Sequence, residues 1–369
     1  MSVEQLLGLG VTNAARAPRQ PAFSLLFFSD VREDISASEK YEFARSLTLF
    51  GDAQGFEAVY FPERHFHEFG AIYPDSAVMA ASLIPQTRHI RFRTAGISLP
   101  LHHPARVVES WSMNDVLSGG RVDLGFGSGW SRPDFLLAPH AYEDRREVMW
   151  QRIEQVRRLW AGERLSFPGP GGDPVSVVTF PRPLQTSLNV WILVAQNTES
   201  FIAAGKAGFN VFTMLYGIDL PDLAEKIGLY RQARRDAGFD PASGRVTLML
   251  HTLVGPDSAW VRRAVEAPFK DYIRSSLVAH MKARATPDGR PLDATEQENV
   301  LQYAFERYYE TGALFGTVDE VRYRVGQVLE TGVDEIACLM DFGVDYAVVH
   351  QSLPYLEQLV ASFQERSAQ

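Results

Sequence analysis

A cluster of titratable side chains follows one short apolar run of the sequence. Glu63, Arg64, His65 and His67 lie within five positions, soon after the run Ala58-Val59-Tyr60. A carboxylate and imidazoles can exchange protons with a bound molecule, and a fixed guanidinium can stabilise developing negative charge. The apolar run is typical of a buried strand, and in α/β folds ligands bind where such strands end. The segment therefore predicts one wall of an active site.

Eight short apolar segments alternate with helical patterns along the chain, and these are the elements that must position the cluster. The predicted strands are 23–28, 56–61, 90–99, 121–126, 189–195, 210–215, 245–254 and 335–341. The alternation indicates a parallel sheet, and eight repeats favour a closed (β/α)8 TIM barrel over an open doubly wound sheet. We expect residues 1–21 to be a leader or linker and 22–369 to be a single domain. The long gap between strands seven and eight predicts a helical insertion over about 255–316.

A closed barrel brings the C-terminal ends of its strands to one mouth, where further candidate residues collect. Asp30 follows strand one, and Gln196 follows strand five. Thr198 or Asn197 is expected to cap the next helix, leaving free backbone N–H groups at its positive end. Together with the hydroxyls of Thr198 and Ser200, these groups could hold a phosphate. An ordinary helix cap without a ligand is the alternative.

The glycines after strand four have a different meaning from a dinucleotide loop. The run Gly125-x-Gly127-x-Gly129 departs from the G-x-G-x-x-G spacing, because Trp130 stands where the third glycine belongs. Glycines here instead predict a backbone, with Ser128 between them, that approaches a flat ligand closely. Trp130 is interpreted either as a pocket wall or as core filler.

Other histidines lead to weaker predictions. Barrel hydrolases hold a metal with an H-x-H pair, as His65 and His67 could, but such a site needs ligands from other strands. Strands five and six end in Gln196 and Met214, without a histidine or lysine, and Asp341 alone does not complete a ligand set. We therefore predict no metal site, with His65 facing the pocket and His67 structural. His102 and His103 precede Pro104 and are interpreted as a capped loop. His251, within strand seven, is interpreted as a hydrogen-bonded core residue.

The composition limits the class of protein. An apolar fraction of 46% over 369 residues can bury a large core. The formal charge of −9 argues against a nucleic-acid groove or an anionic membrane surface as partner. No apolar run approaches the roughly 18 residues of a membrane span. The single cysteine, Cys338, cannot form an internal disulfide, and a cytoplasmic location is expected.

Several segments together resemble the luciferase-like monooxygenases, which are flavin-dependent (β/α)8 enzymes that include the bacterial luciferase subunits. The resemblance runs in order from about residue 22 to 345. It is carried by Glu63-Arg64-His65-Phe66 and by 93–100, 117–125, 127–130 and 195–200. A finer similarity at 63–67, 99–102 and 141–149 is to the MupA-like enzymes of polyketide and peptide biosynthesis.

The resemblance implies where a cofactor would bind. Relatives hold reduced FMN, or in some cases the deazaflavin F420, at the C-terminal mouth of the barrel. By this resemblance the phosphate lies at Thr198 and Ser200, and a non-proline cis peptide at Ala95-Gly96 lies against the flavin ring. The same pocket is expected to include further residues of the loops after strands four and five: Gly127, Ser128, Gly129, Trp130, Gln196 and Asn197.

One position departs from the luciferase pattern. Luciferases carry two histidines after the glutamate, whereas this chain has Arg64 at the first position and keeps only His65. A histidine's proton-transfer role cannot be transferred to Arg64, which is expected to act as a fixed charge. His65 or Asp30 is then expected to handle protons.

The sequence thus predicts a monooxygenase that takes reduced FMN from a separate reductase and uses O2 to oxygenate an organic substrate. The subgroup implies a polyketide or peptide intermediate, free or carrier-bound, and the family implies a homodimer. Aromatic residues of the insertion are expected to roof the pocket or to pack its helices: Tyr303, Phe305, Tyr308 and Tyr309. An F420-dependent oxidoreductase, a barrel metal hydrolase and a non-catalytic flavin-binding protein stay open.

Overall fold

The computed structural model describes residues 20–28, 32–66, 72–281 and 293–364. Its strands are β1 (Ala22–Leu26), β2 (Ala58–Phe61), β3 (Arg91–Thr94), β4 (Ile97–Ser98), β5 (Val122–Gly127), β6 (Leu165–Pro168), β7 (Pro174–Val177), β8 (Val190–Leu193), β9 (Asn210–Met214), β10 (Val246–Val254), β11 (Ala313–Gly316) and β12 (Glu335–Leu339). The parallel order β1-β2-β3-β5-β8-β9-β10-β12 closes on itself, because β12 pairs with β1. The predicted (β/α)8 barrel is therefore confirmed.

The helices are α1 (Ala37–Ala53), α2 (Ser76–Leu83), α3 (Pro104–Ser118), α4 (Arg145–Ala161), α5 (Thr198–Lys206), α6 (Leu220–Asp236), α7 (Ser258–Met281), α8 (Ala294–Arg307), α9 (Val318–Glu330) and α10 (Tyr346–Gln364). Their ends follow local chemistry: a capping box of Ser36 and Glu39 starts α1, and left-handed Gly119 (φ +73°) ends α3. Within the described ranges, no helix is long and apolar enough to cross a bilayer.

Strand three differs from its prediction in a way that concerns the site. The continuous strand expected over 90–99 is split into β3 and β4, and the peptide bond between Ala95 and Gly96, at the break, is cis. This is the bond for which the family resemblance implied a cis geometry. Both halves still pair with β5, so the break leaves the barrel closed.

Two short pieces of sheet were not predicted. The Pro/Gly-rich stretch before strand five forms an antiparallel hairpin of β6 and β7. Between β10 and β12 lie not only α7 and α8 but also a π-helical turn (Tyr308–Gly312) and β11, which pairs with the upper half of β10. The predicted leader up to residue 19 and the connector 286–291 lie outside the described residues.

The N-terminal half of the barrel holds a buried ionic network around Arg93. Its guanidinium donates to both carboxylate oxygens of Glu335 (2.7 and 2.8 Å) and to Asp123 Oδ2 (2.8 Å), and lies 4.4 Å from the centre of the Trp191 ring. Burial alone would raise the pKa of Asp123, but the positive charges of Arg93 and Arg91 hold it at about 2. The network ties β3, β5 and β12 together below the mouth.

Candidate functional site

The chain that leaves β2 places a carboxylate between two imidazoles. Glu63 follows Phe61-Pro62, and its side chain is only 4% exposed. His65 Nε2 donates to Glu63 Oε1 at 2.9 Å, and His102 Nε2 donates to the same oxygen at 2.8 Å. Burial by itself would raise the pKa of Glu63, but these hydrogen bonds lower it below its usual value. The hydrogen bond to Glu63 in turn raises the pKa of His65.

His102 comes from a loop that only the folded structure brings to this position. The sequence grouped it with His103 as a capped loop, and His103 does cap α3, since its Nδ1 accepts from Ala105 N at 3.3 Å. His102 instead turns towards Glu63. Arg152 of α4 fixes the loop by donating to the carbonyl oxygens of Leu99, Pro100 and His102 (3.3, 2.7 and 2.9 Å).

The same three side chains form a possible set of metal ligands. One ligand atom from each of Glu63, His65 and His102 lies within 4.8 Å of the others. The sequence pointed to His67 as the second nitrogen, but His67 lies outside the described residues. Two imidazoles and one carboxylate suit a borderline divalent cation such as zinc, with further positions left open.

Arg64 is held among aromatic rings on the other side of the β2 end. Its guanidinium carbon lies 5.1 Å from the ring centre of Phe28 and 5.4 Å from that of Trp130. Burial lowers the pKa of Arg64, while the neighbouring Tyr272 and Asp134 oppose that shift. Asp30, the other predicted proton-handling residue, lies outside the described residues.

Asp134 is a carboxyl group of the mouth that the sequence analysis missed. It is buried, and Ser131 Oγ donates to its Oδ1 at 2.9 Å. Burial raises the pKa of Asp134, although the charges of His65 and Arg64 act in the opposite direction. Its position in a short 3₁₀ segment (Arg132–Leu137) gave no local signal.

Two glycines at the C-terminal end of β5, Gly125 and Gly127, have different surroundings. A Cβ at Gly125 would lie 2.2 Å from the carbonyl oxygen of Thr94, so this glycine permits close contact between strands. A Cβ at Gly127 would meet only Leu193, at 4.0 Å, and the space beside this residue is open. Ser128 and Gly129 continue the half-buried loop to Trp130, whose residue is 47% exposed above Arg64. Gly125 therefore serves the packing of neighbouring strands, and a close backbone approach to a ligand stays a prediction for Gly127.

A lysine from the following helix, α6, lies at the start of α5, and the sequence did not reveal this contact. Asn197, and not Thr198, is the cap, because its Oδ1 accepts from Ser200 N at 2.8 Å. Lys226 Nζ, from α6, donates to Thr198 Oγ1 at 2.8 Å. Gln196 is turned away to donate to the carbonyl oxygen of Tyr216. A helix N-terminus, two hydroxyls and an ammonium group form a donor set that fits a phosphate.

The aromatic residues of the segment between β10 and β12 do not act together. Phe305 is buried in the core, and Tyr303 is 72% exposed, so neither can roof a pocket in the way expected. Tyr309 packs on Phe305 and Phe315, whereas Tyr308 reaches the ring of His251. Helix packing accounts for Phe305 and Tyr309, whereas Tyr303 faces solvent and Tyr308 contacts His251.

This (β/α)8 barrel has a phosphate-type donor set and a carboxylate–imidazole cluster at its mouth. Both features are typical of barrel enzymes that bind a ligand at the C-terminal ends of their strands. The family model for luciferase-like monooxygenases matches residues 22–335, and the chain belongs to this family. It is therefore an oxidoreductase.

Individual relatives support the same assignment. The chain is 39% identical over 201 residues to the alkanal monooxygenase alpha chain of Photobacterium leiognathi, which covers 53% of this chain and about half (54%) of that one. Monooxygenase RslO1 from Streptomyces bottropensis has a TM-score of 0.79 at 23% identity, over 92% of this chain and 99% of its own.

Two further solved structures differ in cofactor. The oxygenating constituent of 3,6-diketocamphane monooxygenase from Pseudomonas putida, in complex with FMN, has a TM-score of 0.75 at 17% identity, covering 93% of this chain and 98% of its own. An F420-dependent secondary alcohol dehydrogenase has a TM-score of 0.69 at 15% identity, over 94% and 99%. At these identities the structural matches show the fold alone. The MupA-like subgroup stays a prediction.

Proposed function

We propose that this chain is a flavin-dependent monooxygenase that binds reduced FMN and uses O2 to oxygenate an organic substrate. The observation that carries the proposal is the donor set at the start of α5, within a barrel of the luciferase-like family. Lys226 and the hydroxyls of Thr198 and Ser200 converge where a flavin phosphate would bind. Reduced FMN, when bound, supplies the electrons that activate O2.

The remaining cofactor-binding residues would line the ring side of the pocket. The open space beside Gly127 leaves room for a flat ring system. Ala95 and Gly96 directly precede β4, the strand that pairs with Gly127. Ser128, Gly129 and Trp130 continue that wall, and Gln196 and Asn197 border the phosphate end. A ring bound against this wall would be shielded from water on that side.

Proton transfer falls to the cluster after β2. His65 and His102 share one oxygen of Glu63, so a proton can be held at either imidazole Nε2 while the carboxylate fixes both rings. Arg64, close to the same mouth, supplies a fixed positive charge for a developing anion. Asp30 remains a second candidate for proton transfer.

The substrate class and the partners are proposed from the family and subgroup resemblance. We infer a polyketide or peptide intermediate, either a free small molecule or one bound to a carrier protein, and a separate flavin reductase in the cytoplasm. A homodimer is favoured by an exposed apolar patch on the adjacent helices α2 and α3, formed by Val78, Met113, Val116 and Leu117. Asn114 Nδ2, which donates to the carbonyl oxygen of Ala77, joins these two helices.

A titration with FMN and with F420, followed by ultraviolet–visible absorbance, tests the cofactor. We expect saturable FMN binding that is clearly tighter than F420 binding. Tight preferential binding of F420 would overturn the proposal in favour of an F420-dependent oxidoreductase on the same barrel.

A metal-dependent hydrolase is a second candidate, because Glu63, His65 and His102 could together hold a cation. Elemental analysis of the purified protein separates the two. Stoichiometric zinc or iron without flavin binding would favour the hydrolase, and flavin binding by metal-free protein would exclude it.

A further inference from the structure

A buried histidine nitrogen lies unused at the level of the barrel mouth. His251 is 6% exposed, and it pairs in register with Leu339 at the C-terminal end of β12. Its Nε2 has no hydrogen-bond partner among the described residues. The sequence predicts a hydrogen-bonded histidine in the core or barrel, and for this atom the prediction is wrong. A buried polar atom without a partner destabilises the fold, so its presence asks for another reason.

The surroundings of His251 are aromatic on several sides. Ring centres lie 4.7 Å away for Phe269, 4.9 Å for Tyr272, 5.5 Å for Phe342 and 6.3 Å for Tyr308, with interplanar angles of 76–87°. Burial lowers the pKa of His251 to about 3, so the imidazole is neutral at physiological pH. Such a group can exchange a hydrogen bond with an uncharged oxygen but would not attract an ion.

Two features connect this aromatic cage, formed by Phe269, Tyr272, Tyr308 and Phe342 around His251, with the site at the mouth. Tyr272 of α7 packs on His251 and also interacts electrostatically with Arg64, so it stands between the two residues. Tyr308 begins a π-helical turn, a local irregularity that is frequent at functional sites. A phenylalanine at position 251 would satisfy a purely structural cage better than a histidine does.

We propose that His251 is a substrate-orienting residue whose Nε2 exchanges a hydrogen bond with a hydroxyl or carbonyl oxygen on an aromatic or conjugated ring of the substrate. The rings of Phe269, Tyr272, Tyr308 and Phe342 give that ring its apolar surroundings. The inference rests on the proposed function, because it names the substrate class of the same mouth. A hydrogen bond to His251 would direct the oxygen-bearing ring of the substrate towards β10, across the barrel from Arg64 at the end of β2.

Equilibrium dialysis with size-matched naphthalenes tests the hydrogen bond. One pair, 2-naphthol against 2-methylnaphthalene, probes a hydroxyl, and 2-acetylnaphthalene against 2-ethylnaphthalene probes a carbonyl. The ratio of the two affinities in each pair is measured for the natural protein, for His251→Phe and, as a control, for His350→Phe on α10. In at least one pair, we expect His251→Phe to lower the ratio by about tenfold, the effect of one hydrogen bond, and His350→Phe to leave it unchanged.

An unchanged ratio in both pairs, for a folded His251→Phe variant, would overturn the inference. If that variant does not fold, the imidazole ¹⁵N resonances of the natural protein replace it. The Nε2 resonance of His251 should then move with an oxygen-bearing ligand and not with its hydrocarbon match, and equal responses to both would overturn the inference.

The measurements need neither flavin nor O2, so this inference and the proposed function fail separately. If the protein binds FMN but His251→Phe leaves the affinity ratios unchanged, only the proposed role of His251 is contradicted. A changed ratio without FMN binding would leave an oxygen-selective aromatic site and remove the flavin proposal.

Discussion

The two ends of the barrel hold their ionisable groups in opposite ways. At the N-terminal end, Arg93 is surrounded by Asp123, Glu335 and the hydroxyl of Tyr60, and acids and bases are matched at short distances. At the C-terminal mouth, one carboxylate oxygen of Glu63 serves two imidazoles, and the Nε2 of His251 has no partner among the described residues.

This difference separates stability from function. A buried charge is tolerated where it is paired, as in the Arg93 network, and removal of either partner is then costly. Such a network holds the strands in register. Groups that are incompletely matched keep the capacity to bind a ligand or to move a proton, at a cost in stability. We therefore expect substitutions at the N-terminal end to unfold the protein, and substitutions at the mouth to alter binding and rate.

The largest effect is expected from Arg93→Met. Loss of the guanidinium leaves Glu335 buried without a counter-charge and leaves Asp123 paired with Arg91 alone. This should cost about 3–5 kcal/mol of the free energy of unfolding. Urea denaturation measures the change. Arg106→Met, at a side chain that is 72% exposed, is the control and should change stability by less than about 0.5 kcal/mol. Equal losses in the two variants would contradict the proposed contrast.

Glu63→Gln should act on rate. The amide keeps the size of the side chain but cannot serve as a charged acceptor for both imidazoles. If the cluster handles protons, the rate at which bound reduced FMN is reoxidised by O2 should change by about a hundredfold, within the range of general acid–base effects. Glu109→Gln on the surface of α3 should not change it. A variant with the natural rate would assign Glu63 a purely structural role.

The pH dependence of the free energy of unfolding should show that His251 is held neutral in the folded protein. An unfolded histidine has a pKa of about 6.5, whereas burial lowers that of His251 to about 3. Between these values the unfolded chain binds more protons, so stability falls as the pH falls. The contribution amounts to about 2 kcal/mol between pH 7.5 and pH 5.

Urea denaturation of the natural protein and of His251→Phe at both pH values measures that contribution. The variant should lose about 2 kcal/mol less than the natural protein over this interval. His350→Phe should keep the natural dependence. Parallel pH profiles for His251→Phe and the natural protein would show that the imidazole is not held neutral.

The smallest effect is expected from Lys226→Met at the phosphate end. Loss of one charge-assisted contact should weaken FMN binding by about tenfold and leave riboflavin, which lacks the phosphate, unaffected. Fluorescence quenching gives both dissociation constants. Lys206→Met, at the far end of α5, is the matched control. A similar loss for both ligands would show that Lys226 supports the fold rather than the phosphate.

The barrel could be predicted because its signals are local. Apolar runs such as Val246–Val254, buried along its whole length, alternate with helical patterns, and eight repeats define the closed sheet. The strand β11 gave no such signal, because four residues after a helix become a strand only through pairing with β10.

The site could be predicted only where one segment supplies it. Arg64 and His65 stand beside each other in the sequence, whereas His102 reaches Glu63 from 39 positions away and Lys226 reaches Thr198 from the following helix. Contacts of this kind depend on how neighbouring elements pack in the folded barrel and not on any local pattern. The orphaned Nε2 of His251 is likewise a property of packing, which the sequence of a strand does not show.

The most direct test of the account is the reaction of bound reduced FMN with O2. Anaerobic protein loaded with reduced FMN is mixed with O2 in a stopped-flow instrument, and flavin absorbance is compared with free flavin, Arg64→His and Arg64→Ala. We expect the natural protein to change the course of reoxidation relative to free flavin, and we expect both substitutions to alter that course. Reoxidation identical to that of free flavin would contradict a catalytic mouth and favour a non-catalytic flavin-binding protein.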